Sequence, residues 1–187
     1  MSSEMFTPAN ILTLSRMALV PVFALCMMYG HPGWALLTFV VAGITDLLDG
    51  LIARWTAQQT TLGAWLDPMA DKLLLVTAFV ILTLPGFGLT HRLPLWLTVL
   101  IISRDVGIVL TVAVVNLAVA PRTFTPSPLG KLATATFLVT AVATLYANYR
   151  PLAQAVLDAL IYASAAIVLL SAADYFRRMM RAAPTGG

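Results

Sequence analysis

Apolar residues run in long blocks along this chain, broken only by short clusters rich in Gly, Pro and Thr. The breaks fall at Gly30-His31-Pro32-Gly33, at 56–61, at Pro85-Gly86-Phe87-Gly88, at 121–128 and at Tyr149-Arg150-Pro151. Such compositions form turns and loops. Between them lie six apolar segments, at roughly 9–29, 33–55, 62–84, 93–118, 129–148 and 152–176. A run of about 20 apolar residues with few charges reads as a membrane-spanning helix. Backbone groups in hydrocarbon must be satisfied internally, so each segment is expected to be α-helical. The pattern predicts an all-α integral membrane protein, a six-transmembrane-helix bundle forming a single membrane domain over 1–187. There is no internal repeat and no low-complexity tract.

Composition strengthens this reading. The 187 residues are 60% hydrophobic and 10% charged, and mean hydropathy is +0.91. Soluble domains carry about 25% charged residues, so the apolar excess is too large for one water-facing core. The N-terminus has Glu4 and no basic n-region, and the apolar stretch from Ile11 runs on too far for a cleaved signal peptide. Residues 1–8 are too few to span, and Met5 and Phe6, before Pro8, could form the end of a short interfacial helix. The single cysteine, Cys26, cannot form an internal disulfide and reads as a small hydrophobe. The net charge of +3 comes mostly from loop and terminal Arg and Lys. It suits an anionic lipid surface better than nucleic acid, because no long basic run occurs.

An even number of helices puts both termini on one side. Arg54, Arg122, Lys131, Arg177, Arg178 and Arg181 fall on that side, and only Arg92 and Arg150 on the other. The positive-inside bias therefore places the termini in the cytoplasm. Trp34 and Trp55 stand near opposite ends of the second segment, about 31 Å apart along a helix and close to a hydrocarbon thickness. Trp65 and Trp96 lie near segment starts, as interface anchors do.

Against this background one stretch stands out. Four of the eight acidic residues, Asp46, Asp49, Asp67 and Asp71, fall within 45–75. On a helix, Asp46, Asp49, Gly50, Ala53 and Arg54 share one face, and Gly63, Asp67 and Asp71 share one face of the next. The short 56–62 connection makes the two helices antiparallel neighbours, so the carboxylates can converge. Unpaired, they would resist ionising together. Arg54 and Lys72 are too few to balance them, and Lys72 points to another face than Asp71. Divalent metal is the economical counter-charge. Aspartate oxygens suit Mg²⁺, Mn²⁺ or Ca²⁺, with no His or Cys nearby to suit zinc. Two ions bridged by shared carboxylates would form a two-metal phosphoryl-transfer site. Gly50 and Gly63 leave room for a bulky ligand, and Arg54 offers a fork of donors to phosphate oxygens. A structural polar cluster or an ion-coupled transporter's relay would use intramembrane acids too, although matching broken helices, the mark of many transporters, are absent from the pattern.

The same residues spell D-x-x-D-G-x-x-A-R, eight residues, then G-x-x-x-D-x-x-x-D, from Asp46 to Asp71. This resembles the signature of the CDP-alcohol phosphotransferase family, with every defined position filled. "NILTLSR" (Asn10, Thr13, Arg16), "LDPMADKLLL" and "IISRDV" are similar to its phosphatidylglycerophosphate synthase and eukaryotic-type cardiolipin synthase branch. The resemblance implies a six-helix bundle, usually a homodimer, with a polar cavity facing the cytoplasm at the inner (cell) membrane. It implies transfer of the phosphatidyl group of CDP-diacylglycerol to an alcohol, with release of CMP and dependence on two divalent ions, Mg²⁺ or Mn²⁺. By position, Asp46, Asp49 and Asp67 would be metal ligands. Asp71 would be the general base and possible fourth ligand. Asp46, Asp49, Gly50, Ala53, Arg54, Gly63 and Asp67 would line the CDP pocket.

The acceptor is less legible. Arg104, Arg122 and Lys131 are the cations outside the motif that could reach an acceptor phosphate. Pairing of Arg104 with Asp105 or another helix, and snorkelling of Lys131, are the plain alternatives. Phosphatidylglycerophosphate synthases typically show G-R-E in the fourth span and K-x-K-T at the start of the fifth. This chain has Ser103-Arg104-Asp105 and Lys131-Leu132-Ala133-Thr134, without the second lysine. A glycerol 3-phosphate monoester favours several cations, and phosphatidylglycerol carries a single charge. The expectation therefore leans to phosphatidylglycerol as acceptor, a cardiolipin synthase, with glycerol 3-phosphate as the alternative. His31 and His91 fall on non-cytoplasmic loops, far from the aspartates, and Asp158 is expected to be exposed.

Overall fold

The computed structural model describes the backbone of residues 8–56, 61–118 and 128–182, and the side chains of 14–45, 72–110 and 128–177. Among the described residues the chain is all-helical, with six helices: α1 (Pro8–Met28), α2 (Pro32–Thr56), α3 (Thr61–Thr83), α4 (Leu95–Ala118), α5 (Pro128–Tyr149) and α6 (Gln154–Ala182). Each coincides with an apolar segment of the sequence to within two residues, except that α6 continues through its basic end to Ala182. The suggested interfacial helix at Met5 and Phe6 lies outside the described residues.

The boundaries have local causes. At the end of α1 Gly30 takes a left-handed φ of 73°. The His31 N–H donates to the Cys26 carbonyl (2.8 Å) and the Gly30 N–H to the Met27 carbonyl (3.1 Å), the paired bonds of a glycine C-terminal cap. Pro32 then opens α2, where its missing N–H costs nothing.

The helices divide into two compact units, Met1–Arg92 with Ala141–Pro151, and Leu93–Thr140 with Leu152–Gly187. In the first, α1 packs against both α2 and α3. Its buried stripe is Arg16, Val20, Phe23 and Met27, and that of α2 includes Ala35, Phe39 and Ala42. The small alanines let the helices approach, and Phe23 meets Phe39 with ring centroids 5.8 Å apart. The loop after α3 is tied to the end of α5 through Asn148. Its Oδ1 accepts from the His91 N–H (3.1 Å) and its Nδ2 donates to the His91 carbonyl (2.8 Å).

In the second unit α4 packs against α6. The buried stripe of α6 is Leu157, Ile161, Ser164, Val168 and Ser171. Its serines do not face lipid: Ser164 Oγ lies 2.8 Å from Thr140 Oγ1 on α5, with both residues fully buried.

Large apolar side chains point outward in both units. Leu37, Val41 and Ile44 on α2, and Leu169 and Leu170 on α6, are exposed. Helices apolar on the core side and the outer side alike belong in lipid rather than water. Two stretches, Pro128–Tyr149 and Gln154–Arg177, are long and apolar enough to cross a membrane among the described residues. Trp34 and Tyr149 are exposed at the helix ends, and Trp96 stacks on Tyr162 with centroids 6.4 Å apart, an arrangement suited to a membrane interface.

Candidate functional site

The four aspartates fall inside regular helices. Asp46 and Asp49 lie on α2, and Asp67 and Asp71 on α3. Neither helix breaks at the motif, so the i, i+3 and i, i+4 spacings that the sequence implied are helical spacings. The register adds something the motif does not contain. The buried positions Ala35, Phe39 and Ala42 of α2 step by four and three residues, and the same steps lead to positions 46, 49 and 53. On α3, Leu74 and Ala78 are buried, and the corresponding steps lead back to positions 71 and 67. Both halves of the motif thus fall at sequence positions in helical register with buried residues of their own helices. The side chains of Asp46, Asp49, Gly50, Ala53, Arg54, Gly63, Asp67 and Asp71 lie outside the described ones. Among the described residues no group of three metal-ligating side chains occurs.

The donor chemistry fits a divalent ion. Four carboxylates at helical spacing on consecutive helices offer hard oxygen ligands, which select Mg²⁺ or Mn²⁺ over softer metals.

The other site candidates belong to the second unit. Arg104 on α4 donates from Nη1 to Asp105 Oδ1 (2.7 Å) and from Nη2 to Ser171 Oγ on α6 (2.7 Å). Both plain alternatives for Arg104, a pair with its neighbour and a pair with another helix, are realised at once. It also walls a cavity of about 260 Å³ with Ser103, Gly107, Tyr175 and Phe176. Lys131 is exposed in the first turn of α5. Ala133, the position of the missing second lysine, is fully buried. Arg122 lies outside the described residues. A larger groove of about 690 Å³, lined by His31, Trp34, Leu37, Val40 and Tyr149, sits at the far end of α2 from the aspartates. His31 is therefore remote from them, as its sequence position implied.

Two residues escaped sequence reasoning. Ser171 gave no signal, because a serine in an apolar segment has many uses. Arg16 was visible only within the "NILTLSR" resemblance, and its burial is a property of the packed helices.

Comparison with known proteins shows the family of the chain. The family model described as CDP-alcohol phosphatidyltransferase matches residues 6–174. The chain belongs to the CDP-alcohol phosphatidyltransferase family. It is 39% identical over 185 residues to a probable phosphatidylglycerophosphate synthase of Mycobacterium tuberculosis, covering 92% of this chain and 81% of that protein. It is 36% identical to a CMP-forming cardiolipin synthase of Streptomyces coelicolor over 62% of this chain and 54% of that protein. It is 40% identical to the CMP-forming cardiolipin synthase of Homo sapiens over 67% of this chain and 40% of that protein. The protein is thus a membrane transferase of phospholipid biosynthesis that works on a CDP-linked donor and an alcohol acceptor. The ion-coupled transporter reading of the chain falls with that membership.

Proposed function

We propose that this protein transfers the phosphatidyl group of CDP-diacylglycerol to glycerol 3-phosphate, releasing CMP, as a phosphatidylglycerophosphate synthase. The observation that carries the reading is the near full-length similarity to the probable phosphatidylglycerophosphate synthase of Mycobacterium tuberculosis, set against partial matches to cardiolipin synthases. This reverses the lean drawn from the sequence. That lean rested on two departures, Ser103-Arg104-Asp105 in place of G-R-E and the missing second lysine, and for the second of them position 133 is a fully buried packing position in this chain. Its residue type here answers to helix packing and does not count the cations available to an acceptor. Lys131, Arg122 and Arg104 are the cations proposed for the acceptor phosphate. Lys131 is the freest of the two whose side chains are described, since Arg104 already bonds Asp105 and Ser171.

In this reading the six helices span the membrane as one bundle, with the aspartate motif near the cytoplasmic ends of α2 and α3. Asp46, Asp49, Asp67 and Asp71 hold two divalent ions, Mg²⁺ or Mn²⁺. When bound, these neutralise the diphosphate and the departing CMP. Gly50, Ala53, Arg54 and Gly63 line the pocket for the CDP moiety. Asp71 takes the proton of the acceptor hydroxyl as its oxygen bonds to the phosphatidyl phosphorus. The anhydride bond to CMP breaks, and its electron pair leaves with CMP.

The test is CMP release by purified protein from CDP-diacylglycerol, with Mn²⁺ or Mg²⁺ and each acceptor in a separate arm. Release with glycerol 3-phosphate and none with phosphatidylglycerol is expected. The opposite pattern makes the protein a cardiolipin synthase, the second reading, favoured by the 40% identity to the human enzyme. Chelation by EDTA is expected to stop turnover, and added Mn²⁺ to restore it.

A further inference from the structure

We infer that Arg16 of α1 is the built-in counter-ion of the aspartate cluster, paired with Asp46 and holding that carboxylate in its ligating orientation. The inference rests on the metal-site reading of the aspartates given above. Three observations lead to it.

The first is burial. Arg16 is 1% exposed, the largest of the fully buried side chains among the described residues. A guanidinium stays charged at any accessible pH, so this is a permanent buried charge, and such charges are costly unless an opposite charge compensates them.

The second is the supply of acids. Helix α1 contains no Asp or Glu. On the helices packed against it, α2 and α3, the acids are Asp46, Asp49, Asp67 and Asp71 and no others. The remaining parts of that unit, 84–92 and 141–151, have none. Apart from Glu4 near the N-terminus, the motif aspartates are the unit's whole stock of negative charge.

The third is register. Phe23 of α1 meets Phe39 of α2 at 5.8 Å, and the tight turn at Gly30 makes the two helices antiparallel. Arg16 lies seven residues before Phe23, and Asp46 seven residues after Phe39. Seven residues return to the same face and advance about 10.5 Å. Along antiparallel helices the two displacements run the same way, so positions 16 and 46 come level on the facing sides.

Arg16 is therefore a positioning residue. Its planar fork can hold one edge of the Asp46 carboxylate while the other faces the ions, as outer partners of ligating carboxylates do.

A double-mutant cycle tests the pair without metal or substrate. Unfolding midpoints are measured in detergent with EDTA for wild type, Arg16→Met, Asp46→Asn and the double variant. A pair gives a double variant no less stable than the worse single variant, and additive losses overturn the pairing. Coupling to Asp49→Asn and not to Asp46→Asn overturns the register assignment. Because no metal is present, this result is independent of whether the aspartates bind metal at all.

The positioning role is read from Mn²⁺ binding by electron paramagnetic resonance. Removing a cation should, by Coulomb attraction alone, tighten Mn²⁺. Loss of positioning should weaken it, by about 10-fold or more. Weaker binding by Arg16→Met is expected; tighter or unchanged binding overturns the role. Should Arg16→Met fail to fold, its rescue by Asp46→Asn shows the same coupling. If the double variant also fails, Arg16→Lys decides: it keeps the charge but loses the fork, so weakened Mn²⁺ binding is expected and unchanged binding overturns the proposal.

Discussion

Arg104 and Ser171 join α4 to α6 through a 2.7 Å hydrogen bond from the guanidinium Nη2 to the serine Oγ. The arginine side chain is only 11% exposed, so its donors have little water to fall back on. Ser171→Ala should strip one donor of its partner and lower stability by about 1–3 kcal/mol, the usual cost of an orphaned bond to a charged group. Thermal unfolding in detergent checks this. An unchanged midpoint would mean that the guanidinium finds another acceptor.

Asp71 should be separable into binding and chemistry. Asp71→Asn is expected to keep the fold and CDP-lipid binding while turnover falls by about 10²–10⁴-fold, the range for loss of a general base. Parallel measurement of CDP-diacylglycerol binding and CMP release decides the matter. Near-normal transfer would remove Asp71 from the role.

Lys131 should act on the acceptor alone. It is exposed at the start of α5, where loss of its charge disturbs no packing. Lys131→Gln should raise the KM for glycerol 3-phosphate about tenfold, equivalent to about 1.4 kcal/mol, and leave the KM for CDP-diacylglycerol unchanged. Steady-state kinetics with each substrate varied in turn tests this. A change in the donor KM alone would move Lys131 to the CDP-lipid.

Asn148 is expected to be a stability residue and not a catalytic one. Its side chain pairs with both backbone groups of His91 and also donates to the Thr144 carbonyl at 2.8 Å. Asn148→Leu keeps similar bulk but leaves the His91 N–H and carbonyl without these partners, at a cost of about 1–3 kcal/mol. Faster proteolysis within 84–94 and a lower unfolding midpoint are the expected readouts.

The sequence by itself determined the helices and the reaction class. Helix limits were legible because backbone bonding in an apolar block is local and the punctuation at Gly30-Pro32 is chemical. The aspartate motif was legible because its spacing is the helix repeat itself. What the sequence could not reveal was which way each helix faces. In segments that are apolar all round, no contrast of polar and apolar residues marks the inner side, so Leu37 and Phe39 look alike although one is exposed and the other buried. Only packing decided that Ala133 is interior, which removed one of the two arguments for phosphatidylglycerol as acceptor. Packing alone gave Arg104 its partner on α6, sixty-seven positions away. It also took Arg16 out of solvent, because α1 lies against both helices that carry the acids. Burial of a charge is settled by which neighbour covers it, and that neighbour is chosen by the fold and not by the adjoining residues.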